Sequence, residues 1–172
     1  MKKLFLTFAL VFAGIFAANA QVWIGGSLGA GIQKDYTSLS IAPEVGYAFS
    51  DHWQVALGAN YEFTKTKMDV LGATVTTKTN TLALEPYVRY VATTIGDKFS
   101  LFFDLTGDFG LIDRSGWAAT LRPGIAWMAT EHWTAAFRFG FAGYDHGYYG
   151  ADNGFFLNCD LAAPQIRLYY NF

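Results

Sequence analysis

Apolar and polar side chains alternate with a period of two along most of the chain after residue 20, and this alternation limits the fold more than any other feature. In the segment 38–50, one face reads Leu39, Ile41, Pro43, Val45, Tyr47 and Phe49, and the other Ser40, Ala42, Glu44, Gly46 and Ala48. Successive side chains of a β-strand point to opposite faces, so strict alternation indicates strands. We predict eight, at 22–33, 38–50, 53–63, 82–92, 99–109, 120–127, 133–141 and 164–172.

The charged residues of these strands fall on one face. The apolar faces of the first seven strands carry no charge, and the opposite faces hold Glu44, Glu62, Glu85, Arg89, Asp104, Asp108, Arg122 and Arg138, joined by Arg167 of the eighth strand. Aromatic residues make up 18% of the chain and charged residues only 15%. A Lys or Arg that faces lipid at mid-bilayer costs about 2–4 kcal/mol, so the apolar faces should meet lipid and the charges should point inward. The sequence therefore predicts an all-β, eight-stranded antiparallel up-and-down transmembrane β-barrel, whose lumen is plugged by a Glu/Asp–Arg network.

The first twenty residues have the pattern of a cleaved secretory signal peptide. Lys2 and Lys3 precede an apolar stretch at 4–18, and Ala18-Asn19-Ala20 supplies small residues at a cleavage site. We assign 1–20 to this peptide and 21–172 to one outer-membrane β-barrel domain of a Gram-negative bacterium. An even number of strands places both termini on the periplasmic side. Short connections near Asp51 and at 94–98 and 130–132 are then periplasmic, and those near Asp35 and at 65–78, 112–116 and 144–153 are extracellular.

All four prolines occupy one place in an internal repeat of about forty residues, namely Pro43, Pro86, Pro123 and Pro164. Each falls on an even-numbered predicted strand. Proline lacks the N–H that a strand donates to its neighbour. We therefore expect a bulge or a missing ladder bond beside each proline.

Several residues invite a chemical interpretation, but a structural one is favoured for each. His52 and His132 could form a metal pair, although turn residues at the membrane interface are the simpler interpretation. Asp145-His146 could be half of a catalytic site, with Ser115 as a guess for the nucleophile, or part of a solvated loop. The glycines of 25–31 lack the spacing and the following helix of a phosphate-binding loop, so small lumen residues explain them better.

The remaining composition limits the partners. Cys159 is the only cysteine, so no intramolecular disulfide can form, and it is interpreted as a small apolar residue. No run of basic residues suggests a nucleic-acid partner. Threonine-rich segments on both sides of 69–72 favour strands that continue outward as a hairpin at Lys65–Lys78, whose edge could bind an extracellular protein. The alternative is a mobile surface loop.

The turns Ser50-Asp51-His52-Trp53 and Thr130-Glu131-His132-Trp133, with the ending Ile166-Arg-Leu-Tyr-Tyr-Asn-Phe172, resemble the OmpX-like small outer-membrane barrels, also described as outer membrane β-barrel domain or porin-family proteins. The resemblance covers essentially the whole chain after residue 20. It implies that the barrel assembly machinery reads a terminal signal formed by Ile166, Leu168, Tyr170 and Phe172.

These observations favour a monomeric, non-enzymatic protein in outer-membrane lipid, with a structural role or a surface-interaction role through its outer loops. No cofactor or metal is expected. The first alternative is a narrow porin-like passage for small solutes. A lipid-modifying barrel enzyme is a further alternative, but it needs an apolar pocket for an acyl chain, and the predicted lumen is polar.

Overall fold

The computed structural model describes residues 21–70, 73–149, 153–159 and 165–172. Ten β-strands span most of these residues, and their bounds are β1 (Gln21–Ile32), β2 (Tyr36–Ala48), β3 (Trp53–Val70), β4 (Ala73–Ile95), β5 (Phe99–Ile112), β6 (Trp117–Met128), β7 (Trp133–Arg138), β8 (Phe141–His146), β9 (Gly154–Asn158) and β10 (Gln165–Asn171). Among the described residues, no helix has the length and apolar character needed to cross a membrane.

The strands close into a ring with eight positions. From β1 to β6 each strand pairs antiparallel with the next one in the chain. β7 and β8 lie end to end against β6, and β10 and β9 lie end to end against them. β10 returns to β1, with Trp23 opposite Asn171, and this pairing closes the barrel. The predicted fold class, an all-β antiparallel barrel of eight strands, is confirmed.

The barrel is polar inside and apolar outside. Asp104 and Thr106 in β5 are 0% and 1% exposed, whereas the side chain of Leu105 between them is 59% exposed. Outward-facing Val, Leu, Ile, Phe and Trp residues on the other strands are exposed in the same way, for example Leu57, Leu121 and Ile166. Successive side chains of one strand face opposite sides of the wall. The period-two pattern therefore places the polar side chains in the lumen and the apolar side chains on the outer surface.

The first two prolines interrupt one ladder each. The β2–β3 ladder has no pair at residues 42–43, although the register on both sides is unchanged. The β4–β5 ladder lacks pairs at residues 85–86 in the same way. Pro43 and Pro86 both keep their pairing with the strand on the other side, which fits the loss of one N–H donor per proline. The predicted missing ladder bonds are confirmed here.

Pro123 lies beside a bulge that divides the seventh barrel position. Two residues lie between Leu121 and Gly124 on β6, but three lie between Arg138 and Ala142 on the facing side, so the register shifts by one residue. The sequence predicts one strand at 133–141, whereas the structure breaks it after Arg138 and continues it as β8 to His146. Gly140 provides the turn with φ +55°, a conformation that glycine adopts without strain. Pro164 lies outside the described residues.

The eighth position is also divided, and its outer part was not predicted. β9 covers Gly154–Asn158, in a region that the sequence pattern leaves between the last outer connection and the final strand. β9 is only five residues long, and the alternation of its side chains is too short to distinguish it from a loop in the sequence.

The hairpin of β3 and β4 protrudes beyond the rest of the wall. Its ladder runs without interruption from Trp53–Tyr90 to Val70–Ala73. Its neighbours end earlier, because pairing with β2 reaches only Thr66 and pairing with β5 reaches only Leu82. The strands therefore continue outward, as the threonine-rich sequence predicts. We call this end of the barrel the loop end, and the opposite end, with the connections at 49–52, 96–98 and 129–132, the turn end.

Two turns at the turn end repeat the same set of bonds. His52 Nδ1 lies 2.9 Å from the Val91 carbonyl oxygen, and His132 Nδ1 lies 3.0 Å from that of Asn171. In return, the backbone carbonyls of the two histidines accept hydrogen bonds from the N–H groups of the same two partners, both at 2.7 Å. The histidines thus fasten their turns to the neighbouring strand, which is the structural role favoured over a metal pair.

Candidate functional site

The first of three buried charge groups in the lumen is a trio of Arg89, Asp104 and Arg138. Arg89 donates to both carboxylate oxygens of Asp104, from Nε at 2.7 Å and from Nη2 at 2.9 Å. Arg138 Nε donates to Asp104 Oδ2 at 2.6 Å. β4, β5 and β7 supply one residue each, and all three side chains are buried. The planar guanidinium fork suits such two-point binding of a carboxylate.

A second group, the Arg167 clamp, joins β2 and β10 to β4, the strand that also carries Arg89 of the trio. Arg167 on β10 donates from Nη1 to Glu44 Oε2 at 2.7 Å and from Nη2 to Glu85 Oε2 at 2.9 Å. The phenol of Tyr87 donates to the same Glu44 oxygen at 2.9 Å. The clamp therefore ties β2, β4 and β10 together across the lumen.

A third group lies towards the loop end. Arg122 Nη2 donates to Asp108 Oδ2 at 2.8 Å, and Arg122 Nε donates to the hydroxyl of Thr120 at 2.9 Å. The phenol of Tyr149 lies over this pair, 3.0 Å from Arg122 Nη2 and 3.3 Å from Asp108 Oδ2. Burial raises the pKa of the Tyr149 phenol, so the phenol stays protonated at neutral pH and neutral beside the ion pair.

The buried charges of the three groups balance. Four arginines face four carboxylates, and the excess cation of the trio is offset by the excess carboxylate of the Arg167 clamp. Eight of the nine predicted lumen residues lie in these groups. The ninth, Glu62, is partly exposed and lies 3.6 Å from Arg114, which the sequence reasoning assigned to an outer connection. Ionised side chains buried without partners would be far more costly than these pairs.

Aromatic rings fill the lumen at the level of the trio. The guanidinium carbon of Arg89 lies 3.9 Å from the ring centre of Phe102 and 5.4 Å from that of Tyr169. Trp23 packs against Tyr169, with ring centres 4.5 Å apart. Trp23 faces the lumen, and Gly46 opposite leaves the space for its indole, since an added Cβ at that glycine would meet the ring. The small residue at position 46 therefore allows a tryptophan on the inner face of β1.

The other candidate residues have structural positions. Asp145 is buried, and its Oδ1 accepts hydrogen bonds from the backbone N–H groups of Tyr148, at 2.9 Å, and Tyr149, at 3.3 Å. His146 stacks on Trp117, and Ser115 is exposed. Asp145 thus stabilises a turn, and the structure gives it no catalytic partner among the described side chains.

The glycines of 25–31 lie within β1 and not in a loop. Cys159 is exposed. Among the described residues, no group of three or more His, Cys, Asp or Glu side chains could hold a metal ion. The terminal residues Ile166, Leu168 and Phe172 are more than half exposed on the outer face, and Tyr170 packs between the rings of Trp133 and Phe172.

Sequence reasoning missed the partners that are not charged. Tyr87, Tyr149 and Tyr169 each contact an ion pair through a phenol oxygen. The strand alternation places Tyr87 and Tyr169 on the inner face, so that signal was available, but a tyrosine among so many outward aromatics does not stand out. Tyr149 lies after the end of β8, in a connection where side-chain alternation cannot predict which way a residue faces.

Comparisons with known proteins identify no family. No protein-family profile matches the chain, and no curated protein matches it. Among the solved structures that match is one described as "NanC porin structure in rhombohedral crystal form", with 15% sequence identity, coverage of 88% of this chain and 98% of that chain, and a TM-score of 0.25.

Proposed function

We propose that this chain is an integral outer-membrane β-barrel protein of the OmpX-like kind, without enzymatic activity, whose lumen is plugged by its ion pairs. The main support for this proposal is that adjacent residues of one strand face opposite sides of the wall according to their polarity. Asp104 is buried in the lumen, whereas Leu105 next to it is exposed on the outer surface. Where the ring is closed, as at the pairing of β1 with β10, no sheet edge is left unpaired, so the backbone groups there can be satisfied inside a bilayer. The turn end then faces the periplasm and the loop end faces outward.

Cell fractionation followed by gel electrophoresis with and without boiling tests the location. We expect the protein in the outer-membrane fraction, with a folded form that migrates differently until it is boiled. A protein that stays soluble and monomeric without detergent contradicts the proposal.

A pair of substitutions tests which face meets lipid. Leu105 lies midway along β5, and Leu105→Arg should cost about 2–4 kcal/mol of folding free energy in a bilayer. Ile95 is also exposed but ends β4 at the turn end, so Ile95→Arg should cost only about 0–1 kcal/mol. Equal costs for both variants, measured by urea titration in lipid vesicles, contradict the assignment of the outer face to lipid.

The plug is supported by the three charge groups, which connect strands on different sides of the lumen. Purified protein in liposomes should therefore give no swelling in isosmotic sugar. Removing a cation from the trio in Arg138→Ala should admit solute, whereas Arg114→Ala at the partly exposed loop end should not. Rapid swelling with the unmodified protein would instead favour the alternative, a narrow passage for small solutes.

The protruding hairpin supports a surface-interaction role. Residues 75–81 of β4 pair with β3 on one side, and no described strand pairs with them on the other. An open strand edge offers backbone donors and acceptors to an extended segment of an extracellular protein. Replacing residues 64–79 by a two-residue Asn-Gly turn between the paired Phe63 and Asn80 removes most of this edge. It should abolish adhesion of expressing cells to a protein-coated surface while the shortened barrel still shows the boiling-dependent shift. Unchanged adhesion contradicts this role.

The outward-facing residues of β10, together with Phe172 directly after it, are the proposed assembly signal. Ile166, Leu168, Tyr170 and Phe172 form an apolar row at the end of the chain. Phe172→Ser should make unfolded precursor accumulate in the periplasm, whereas the purified variant should still fold in detergent.

A further inference from the structure

A cavity of about 320 Å³ opens at the turn end of the barrel, beneath the trio. Its lining is mixed: Phe102, Ala126 and Met128 are apolar, Gln54, Ser100 and Thr134 are polar, and Arg89 lies among them. Small-molecule sites are concave and carry a few polar groups that orient the ligand. The volume lies at the lower end of the roughly 300–1,000 Å³ range of such sites, so it suits a small ligand.

Arg89 has hydrogen-bonding capacity left over. Its Nε donates to Asp104, and its Nη2 donates to Asp104 and to the Tyr169 phenol at 3.2 Å. No hydrogen bond within the described part of the chain uses Nη1. Because Arg138 shares the same carboxylate, the trio holds two cations for one anion. The net positive charge of the trio therefore lies next to this cavity, since Arg89 is one of the lining residues.

Trp23 provides a second unused donor. It is only 4% exposed, lines the same cavity, and its indole Nε1 has no hydrogen-bond partner among the described residues. A buried N–H without a partner costs free energy, and a bound acceptor would recover it.

We propose that this cavity binds a small monocarboxylate. The carboxylate binds at Arg89 Nη1, and the rest of the ligand occupies the space beside Ala126 and Met128. Glu131 lines the exposed rim and repels anions weakly, because charges at a solvated mouth are screened. The proposal does not depend on the surface role of the protein or on a plugged lumen, since the ligand enters from the turn end and stops at the trio.

Titration of the folded full-length barrel with sodium benzoate, in detergent micelles, tests the proposal. The chain has five tryptophans, so an NMR spectrum of indole N–H groups contains one signal that Trp23→Phe removes and thereby assigns. Benzoate should shift this signal saturably, with a Kd on the order of 1 mM, and the cationic benzylamine should not. Shifts of similar size at all five indoles indicate partition into the micelle and overturn the proposal, as does an unchanged Trp23 signal.

Two matched variants separate cavity binding from other effects. Ala126→Phe fills the cavity without touching the ion pairs and should weaken benzoate binding about tenfold or more. Ala135→Phe makes the same change on the outer face of the neighbouring strand and should leave the affinity unchanged. Equal affinities in both variants, each checked for folding by its boiling-dependent shift, overturn the cavity as the site.

Discussion

Removal of the carboxylate of Asp104 is the sharpest test of how the lumen is held together. Asp104 is fully buried and accepts three hydrogen bonds from the guanidinium groups of Arg89 and Arg138, at 2.6–2.9 Å. Asp104→Asn keeps the size of the side chain but leaves two buried cations without their counterion. Loss of one partner from a buried ion pair costs about 3–5 kcal/mol, which is a large part of the 5–15 kcal/mol that typically stabilises a domain.

Arg138→Met is the informative comparison. It removes one cation but leaves Arg89 paired with Asp104 through both carboxylate oxygens, so the remaining pair is neutral. The expected cost is that of a lost charged hydrogen bond, about 1.5–3 kcal/mol. Asp97→Asn, in an exposed turn, serves as the control for the chemical change itself and should lie within about 0.5 kcal/mol of the unmodified protein.

Urea titrations in phosphocholine vesicles, followed by tryptophan fluorescence, measure the free energy of unfolding for all three variants. The order predicted from charge is Asp104→Asn as most destabilising, then Arg138→Met, then Asp97→Asn. An Arg138→Met variant that loses as much stability as Asp104→Asn would refute the role of Asp104 as shared counterion. It would show instead that packing of the large Arg138 side chain dominates.

Two further predictions concern packing and the turns. Gly46→Ala should destabilise the barrel by about 1–3 kcal/mol because its new methyl group meets the indole of Trp23, whereas Gly154→Ala, which meets no atom within 4 Å, should change stability by less than about 0.5 kcal/mol. A neutral Gly46→Ala in the same urea assay contradicts the tight cross-strand fit. His52→Ala and His132→Ala should each lose about 0.5–1.5 kcal/mol, since each removes one equivalent hydrogen bond to a backbone carbonyl. A clear loss in only one of the two variants is evidence against equivalent turns.

The regular part of the fold could be predicted because side-chain alternation and strand geometry share one period. β5 shows this well: its polar residues alternate with Leu and Phe, and both its ends match the predicted strand within three residues. The inward direction of Asp104 and Arg122 followed from the same alternation, and the structure pairs both with opposite charges.

The parts that could not be predicted depend on contacts between distant segments. The bulge near Gly140 requires knowledge of where Pro123 lies on the neighbouring strand, and alternation within one strand does not contain that information. Which arginine binds which carboxylate is equally non-local, because Glu44 and Arg167 are 123 residues apart. Arg114 was missed because it lies in a connection, where no period assigns a direction.

The two histidine turns bear on the origin of the chain. They are eighty residues apart, as positions 52 and 132 show, and each histidine binds a carbonyl 39 residues further on. Each half of the ring therefore carries its own copy of the same fastening, as expected if a gene for four strands was duplicated in tandem and fused.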